Sequence, residues 1–99
     1  MQLRTKDLDM LRAIFRRFPT VREVRLFGSR ATSTARRNSD IDLAISAPSS
    51  TPSEWANVCE ALNNAPIIYE LDILRLDCTT SPALLERIDR EGIVIYRQQ

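Results

Sequence analysis

The segment Leu-Phe-Gly-Ser-Arg (26–30), followed after nine further residues by Asp-Ile-Asp-Leu (40–43), decides the fold of this 99-residue chain. The first segment closes a run of β-branched and aromatic residues, which predicts a strand over Val21–Phe27 that ends at Gly28. The second predicts a short apolar strand over Asp40–Ile45 that is acidic only where it begins. Because side chains alternate across a strand, Asp40 and Asp42 are expected to project from the same face.

The two carboxylates at the start of this strand indicate a binding site for a divalent cation. Two neighbouring carboxylates repel each other, so the arrangement is costly unless it is well solvated or neutralised by a metal. Oxygen ligands in a chain without histidine favour Mg²⁺ or Mn²⁺ over zinc. A third carboxylate would complete such a site: Asp72 lies inside an apolar strand pattern, and Glu70 on the same face is the competing candidate.

The turn after the first strand has the features of a phosphate site. Gly28 has no side chain, so a phosphate could approach its backbone, and Ser29 offers a hydroxyl at the start of a short helix. Each feature alone has an ordinary explanation: a Gly-Ser turn, a solvated strand end, or an acidic residue at an exposed sheet edge. Their fixed spacing is what favours the functional interpretation.

Composition excludes several classes of protein. The absence of histidine removes Ser-His-Asp and Cys-His nucleophile systems, and Cys59 and Cys78 form neither a zinc-ligand pattern nor a disulfide framework. A net charge of +1 with 6% aromatic residues does not indicate direct nucleic-acid binding. No leader sequence and no run of about 18 apolar residues is present, which predicts a cytoplasmic protein with no membrane partner. The length fits one domain over residues 1–99, so a large acceptor is expected to come from another chain.

The remaining segments alternate between helical and extended patterns. They predict a helix over about Thr5–Arg17, a helix capped by Thr51, and a strand over Ile67–Leu76. A last helix opens at Ser81-Pro82 and ends with Gly92 in a left-handed conformation, before a strand over Ile93–Tyr96. The sum is an α/β sheet domain.

Four segments in this order resemble a known family. They are Leu-Phe-Gly-Ser-Arg-Ala at 26–31, Ser-Asp-Ile-Asp-Leu at 39–43, Leu-Asp-Ile-Leu at 71–74 and Glu-Gly-Ile-Val-Ile-Tyr at 91–96. Together they resemble the minimal nucleotidyltransferases (MNT proteins) of the DNA polymerase β-type nucleotidyltransferase superfamily. The resemblance implies a polymerase β-like nucleotidyltransferase fold, with a small mixed β-sheet flanked by helices.

The resemblance also implies roles for individual residues. Asp40 and Asp42 would be ligands of two Mg²⁺ ions, and Asp72 would be a further ligand and the base. Contacts to the triphosphate of ATP would come from Gly28, Ser29 and Arg30. For Arg30 the alternative is a solvated side chain at the start of a helix.

The same resemblance implies a partner and a reaction. MNT proteins typically occur beside a HEPN-domain protein, in pairs that resemble toxin–antitoxin systems. In these pairs the MNT chain transfers AMP from ATP to a tyrosine hydroxyl of the toxin, so the chain is expected to be an antitoxin adenylyltransferase. The alternatives are a non-catalytic module that masks the toxin and a nucleotidyltransferase acting on a small molecule such as an aminoglycoside.

Overall fold

The computed structural model describes residues 1–36 and 39–98. Its helices and strands, in chain order, are α1 (Thr5–Arg16), β1 (Glu23–Phe27), β2 (Ile41–Ser46), α2 (Pro52–Asn63), β3 (Leu71–Arg75), α3 (Pro82–Glu91) and β4 (Ile93–Arg97). Single 3₁₀ turns follow β1 and β3, at Gly28–Arg30 and Leu76–Cys78. Within these described ranges, no helix combines the length and the hydrophobicity that crossing a membrane requires.

The four strands form one mixed sheet in the order β3-β2-β1-β4. β1 runs antiparallel to both β2 and β4, and β2 runs parallel to β3. A parallel pair needs a crossover connection, which α2 supplies between β2 and β3. The prediction of a small mixed sheet flanked by helices is therefore confirmed.

The two faces of the sheet have different roles. One face carries the apolar core, in which alternate residues of β1 and β2 pack against α1 and α2: Leu11, Phe15, Val24, Leu26, Ile41, Leu43, Ile45, Val58 and Leu62. Each of these side chains is fully or almost fully buried. The intervening residues of β1 and β2 face the other side, where α3 lies and where Arg25 approaches Asp89 at 3.5 Å. The chemistry expected of Asp42 therefore belongs to the α3 face.

Two local predictions are wrong. The third strand begins at Leu71 rather than Ile67, because pairing with β2 starts only at the register pair Ile41 and Leu71. Gly92 is not left-handed: its φ of −68° and ψ of 141° are extended, so the chain passes directly from α3 into β4. The glycine is needed there for space, since a Cβ would overlap the backbone carbonyl oxygen of Ile88.

The start of α2 supplies a stability test. The Thr51 hydroxyl accepts a hydrogen bond from the Glu54 amide at 3.2 Å, and the Glu54 carboxylate accepts one from the Thr51 amide at 3.1 Å. This reciprocal capping box confirms the predicted cap. We expect Thr51→Ala to lower the free energy of unfolding by about 1 kcal/mol, measured by urea denaturation. Thr80→Ala, at an exposed position, is the control; equal losses in both variants would contradict the assignment.

Candidate active site

The candidate site begins at the bend after β1. Gly28 has a φ of +72°, a left-handed conformation that favours glycine, and it opens the 3₁₀ turn. A Cβ at this position would overlap Oδ2 of Asp42 and lie 3.2 Å from its Cγ. The sequence pattern predicts that Gly28 lets a phosphate approach the backbone. The structure adds a second reason, which is that the Asp42 carboxylate occupies the space where a side chain would be.

Asp42 and Asp72 are neighbours on adjacent strands. The sheet register pairs Phe27 with Asp42 across β1 and β2, and Asp42 with Asp72 across β2 and β3. In a parallel pair, residues in register project from the same face, so both carboxylates lie on the α3 side of the sheet. Three separate segments thus meet here: the bend at Gly28, the start of β2 and the start of β3.

The structure separates Asp72 from Glu70, which the sequence left as competitors. Glu70 precedes β3, and its carbonyl oxygen accepts the amide of Ile41 at 2.9 Å. Glu70 lines a pocket of about 400 Å³. The other walls of this pocket are the end of α2, which includes Leu62, and the segment before β3, which includes Ala65. Asp72 alone of the two is in register with Asp42.

The electrostatics of the site centre on Asp42. Burial raises the pKa of its carboxyl above the ordinary value, and the negative charges of Asp72 and Asp40, with a hydrogen bond that the protonated Asp42 carboxyl donates to Asp72, raise that pKa further. The cationic Arg87 of α3 opposes these effects. Asp42 is half-buried, whereas Asp40 and Asp72 are exposed. The acidic groups therefore repel one another without a full counter-charge from the protein.

The donor set fits a hard divalent cation. In the described part of the chain, no three acidic, cysteine or histidine side chains are already gathered as a ligand cluster. Asp42 and Asp72 nevertheless form an adjacent pair, and Asp40 lies within electrostatic range of it. Carboxylate oxygens with uncompensated charge are the ligands that Mg²⁺ and Mn²⁺ prefer. These three residues could hold such an ion.

Ser29 lies in the 3₁₀ turn between Gly28 and Arg30 and is half-buried. Its carbonyl oxygen accepts the amide of Thr34 at 2.8 Å, and the hydroxyls of Thr32 and Thr34 are 2.9 Å apart. These contacts fix the course of the chain after the turn. The phosphate contacts of Gly28 and Ser29 remain predictions.

Arg30 is buried in the structure. The alternative of a solvated side chain is wrong, because the residue is only 6% exposed. Its nitrogens donate to the carbonyl oxygens of Ser39, Asp40 and Gln2, and its guanidinium lies 4.2 Å from the centroid of the Tyr69 ring. These contacts hold Arg30 to the backbone that leads into β2, and its contact with ATP stays a prediction.

Two further residues, Arg87 and Tyr69, lie at the site or support it and were not among the predicted site residues. Arg87 lies close enough to Asp42 to lower its pKa, and its position one turn after Leu84 borders the buried stripe of α3. That spacing was the available signal. The ring of Tyr69 packs against the Arg30 guanidinium. In the sequence, Tyr69 is one of several apolar residues in a strand pattern, so the local pattern did not distinguish it.

Comparison with known proteins identifies the family of the chain. The sequence profile of the family described as polymerase beta, nucleotidyltransferase, matches residues 9–99, a range that includes all the predicted site residues. The chain belongs to the polymerase beta nucleotidyltransferase family. No curated protein sequence matches this family member significantly.

Solved structures share the fold of this nucleotidyltransferase. A mutant form of the toxin–antitoxin pair MntA–HpeT has a TM-score of 0.72 at 21% identity, covering 93% of this chain and 74% of that chain. A toxin–antitoxin structure with AMP-PNP has a TM-score of 0.67 at 23% identity, covering 94% and 75%. The tri-AMPylated Shewanella oneidensis HEPN toxin in complex with MNT antitoxin gives a TM-score of 0.62 at 19% identity, covering 99% and 74%. At these identities the likeness establishes the fold.

The contact between Gly28 and Asp42 predicts a cost for any side chain at position 28. We expect Gly28→Ala to lower the free energy of unfolding by about 1–3 kcal/mol, because the left-handed backbone and the displaced carboxylate both oppose it. Urea denaturation measures the loss. Ser33→Gly, at the non-glycine residue with a φ of 61°, is the control and should change stability little. A Gly28→Ala variant as stable as the wild type would contradict the packing described.

The raised pKa of Asp42 predicts a pH-dependent stability. A carboxyl whose pKa is higher in the folded state binds its proton more tightly there, so stability falls as the pH rises from the ordinary value of 3.8 through the raised one. In EDTA at pH 7, Asp42→Asn should therefore need more urea to unfold than the wild type. Near pH 3 this gain should disappear.

Asp9→Asn, on the exposed surface of α1, is the matched control and should show no such pH-dependent gain. An Asp42→Asn variant that is equally destabilised at both pH values would contradict the assignment of charge repulsion.

Proposed function

We propose that this chain is a Mg²⁺-dependent nucleotidyltransferase that transfers AMP from ATP to a tyrosine hydroxyl of a HEPN-type toxin, and so acts as a cytoplasmic antitoxin. The observation that carries the proposal is the register of Asp42 with Asp72, on one face of the sheet beside the Gly28 bend. Membership of the nucleotidyltransferase family supports the reaction class.

Asp40, Asp42 and Asp72 are the residues that would hold two Mg²⁺ ions. When bound, the ions neutralise phosphate charge and lower the pKa of an attacking hydroxyl. The half-buried Asp42, flanked by the two exposed acids, is suited to remain a ligand throughout. The Gly28–Ser29 turn would receive the triphosphate, and the position of Gly28 directly beside the Asp42 carboxylate supports this role.

The proposed reaction is one displacement at phosphorus. The tyrosine hydroxyl oxygen forms a bond to the α-phosphorus of ATP, while the bond from that phosphorus to the bridging oxygen breaks and pyrophosphate leaves. The hydroxyl proton passes to the Asp72 carboxylate. Asp72 suits the role of base because it is more exposed than Asp42 and so is accessible to an incoming group.

The position of Asp72 favours an acceptor carried by another protein. β3 lies at one end of the strand order β3-β2-β1-β4, so Asp72 is on an edge strand with its carboxylate exposed. A partner can therefore reach the carboxylate pair from the side of β3. The similar solved complex of a tri-AMPylated HEPN toxin with MNT antitoxin supports a toxin of that class as the partner.

Intact-mass measurement tests the proposal. The chain is incubated with a HEPN-type toxin, ATP and Mg²⁺, and both proteins are weighed. We expect the partner to gain whole AMP units, and the gain to disappear in Asp42→Asn and in EDTA. Asp9→Asn should label the partner as the wild type does.

Two other outcomes would overturn this function. A complex that forms equally well with Asp42→Asn, without any gain in mass, would indicate a masking module. Nucleotidylation of an added aminoglycoside, with no labelled protein, would indicate a small-molecule acceptor.

A further inference from the structure

We propose that Arg30 is a positioning residue: its buried guanidinium fixes the backbone at Asp40 and so sets the geometry of the carboxylate site. The part of the proposal that concerns AMP transfer rests on the proposed function. The part that concerns metal binding can be measured without any transfer reaction.

Arg30 uses all three of its nitrogens within the protein. Nε lies 3.2 Å from the carbonyl oxygens of both Ser39 and Asp40, and Nη2 donates to Ser39 at 2.7 Å. Nη1 donates to the carbonyl oxygen of Gln2 at 2.9 Å. The Arg30 side chain thus connects the N-terminal segment and the entry to β2 with the 3₁₀ turn that contains Ser29.

A second contact ties in the approach to β3. The guanidinium lies 4.2 Å from the centroid of Tyr69, within the range of a cation–π interaction. Tyr69 precedes Asp72 by three residues, just before β3 begins at Leu71. The amide of Gln2 also donates to the carbonyl oxygen of Arg30 at 2.7 Å. This second hydrogen bond holds the N-terminal segment against the backbone of the 3₁₀ turn.

These contacts join the three parts of the candidate site through one side chain. Arg30 belongs to the 3₁₀ turn with Gly28 and Ser29, it holds the carbonyl of Asp40, and it packs on the segment that leads to Asp72. Groups that support the ligands of a metal typically change metal affinity or activity 10- to 100-fold when removed. A shift of about 1 Å at a reacting group can cost about a hundredfold in rate.

Arginine is required by this geometry. A planar guanidinium can donate from its edge to several carbonyls while its face stacks on an aromatic ring, and a lysine ammonium cannot do both. Burial of a cation is also costly unless its donors are satisfied. The carbonyls of Ser39, Asp40 and Gln2 meet that need for Arg30, so a lysine of equal charge should leave the segment before β2 less firmly held.

The test compares Arg30→Lys with a matched control, Arg12→Lys. Arg12 also donates through Nε to a carbonyl oxygen, that of Ile95 at 2.8 Å, but it lies on α1 beside β4. For Arg30→Lys we expect the affinity for Mn²⁺, measured by calorimetry with Mn²⁺ as the probe, to fall about 10- to 100-fold. In AMP transfer, kcat should fall by a similar factor while the KM for the partner protein changes little. Arg12→Lys should alter neither quantity.

A folded Arg30→Lys variant, verified by circular dichroism, that binds Mn²⁺ as tightly as the wild type would overturn the proposal. If Arg30→Lys does not fold, Tyr69→Leu removes the stacking face and leaves Arg30 in place, with Tyr69→Phe as its control. Tyr69→Leu should weaken Mn²⁺ binding and Tyr69→Phe should not; equal affinities would overturn the proposal.

The two proposals fail in different ways. If the wild-type protein binds Mn²⁺ but transfers no AMP, the proposed function is wrong. In that case a loss of Mn²⁺ affinity in Arg30→Lys would still support the positioning role of Arg30. Wild-type protein with no measurable affinity for Mn²⁺ would overturn both.

Discussion

The packing of the Asp42 carboxylate against the backbone of Gly28 is the constraint on which the rest of the site depends. It requires β1 and β2 to be adjacent and in the register that pairs Phe27 with Asp42. That register turns Ile41, Leu43 and Ile45 toward the core, because side chains alternate along β2. A slip of one residue would bury the acid and expose the apolar set. The core therefore enforces the geometry of the carboxylate, and the missing side chain at position 28 makes room for it.

The division between the two faces allows the sheet to tolerate a cluster of like charges. Burial of the Asp42 carboxylate and its repulsion with Asp72 and Asp40 oppose folding, as the raised pKa of Asp42 indicates. The opposite face compensates, since its strand residues are almost completely buried against α1 and α2. Functional sites commonly break local rules that the rest of a fold obeys. Here the unfavourable feature is the cluster of like charges, and it is confined to the start of two neighbouring strands on the side of the sheet that carries α3.

Local sequence patterns predicted the strands and helices well because those patterns have short-range physical causes. Alternation placed Asp40 and Asp42 on a strand end, and a hydroxyl, a proline and a glutamate predicted the cap at Thr51, which the structure confirms. The alternation of residues alone could not separate Glu70 from Asp72, since the two share a face by periodicity; the family resemblance favoured Asp72, and the pairing with β2 distinguishes the two in the structure. The buried role of Arg30 was equally hidden, because its partners lie in three distant segments and none of them forms a local motif.

β3 is an edge strand of the sheet. This position leaves Asp72 accessible, and it also exposes the strand to pairing with strands of other chains. An edge strand offers unpaired backbone groups to other chains, a hazard that proteins limit with short strands and charged side chains. β3 has five residues, and Asp72 and Arg75 place charge on it. The same exposed carboxylate that discourages strand addition is the one that an incoming hydroxyl must reach. A base on an inner strand would have a neighbouring strand on each side, whereas Asp72 on the edge strand is open to an acceptor carried on a separate protein, as the proposed reaction requires.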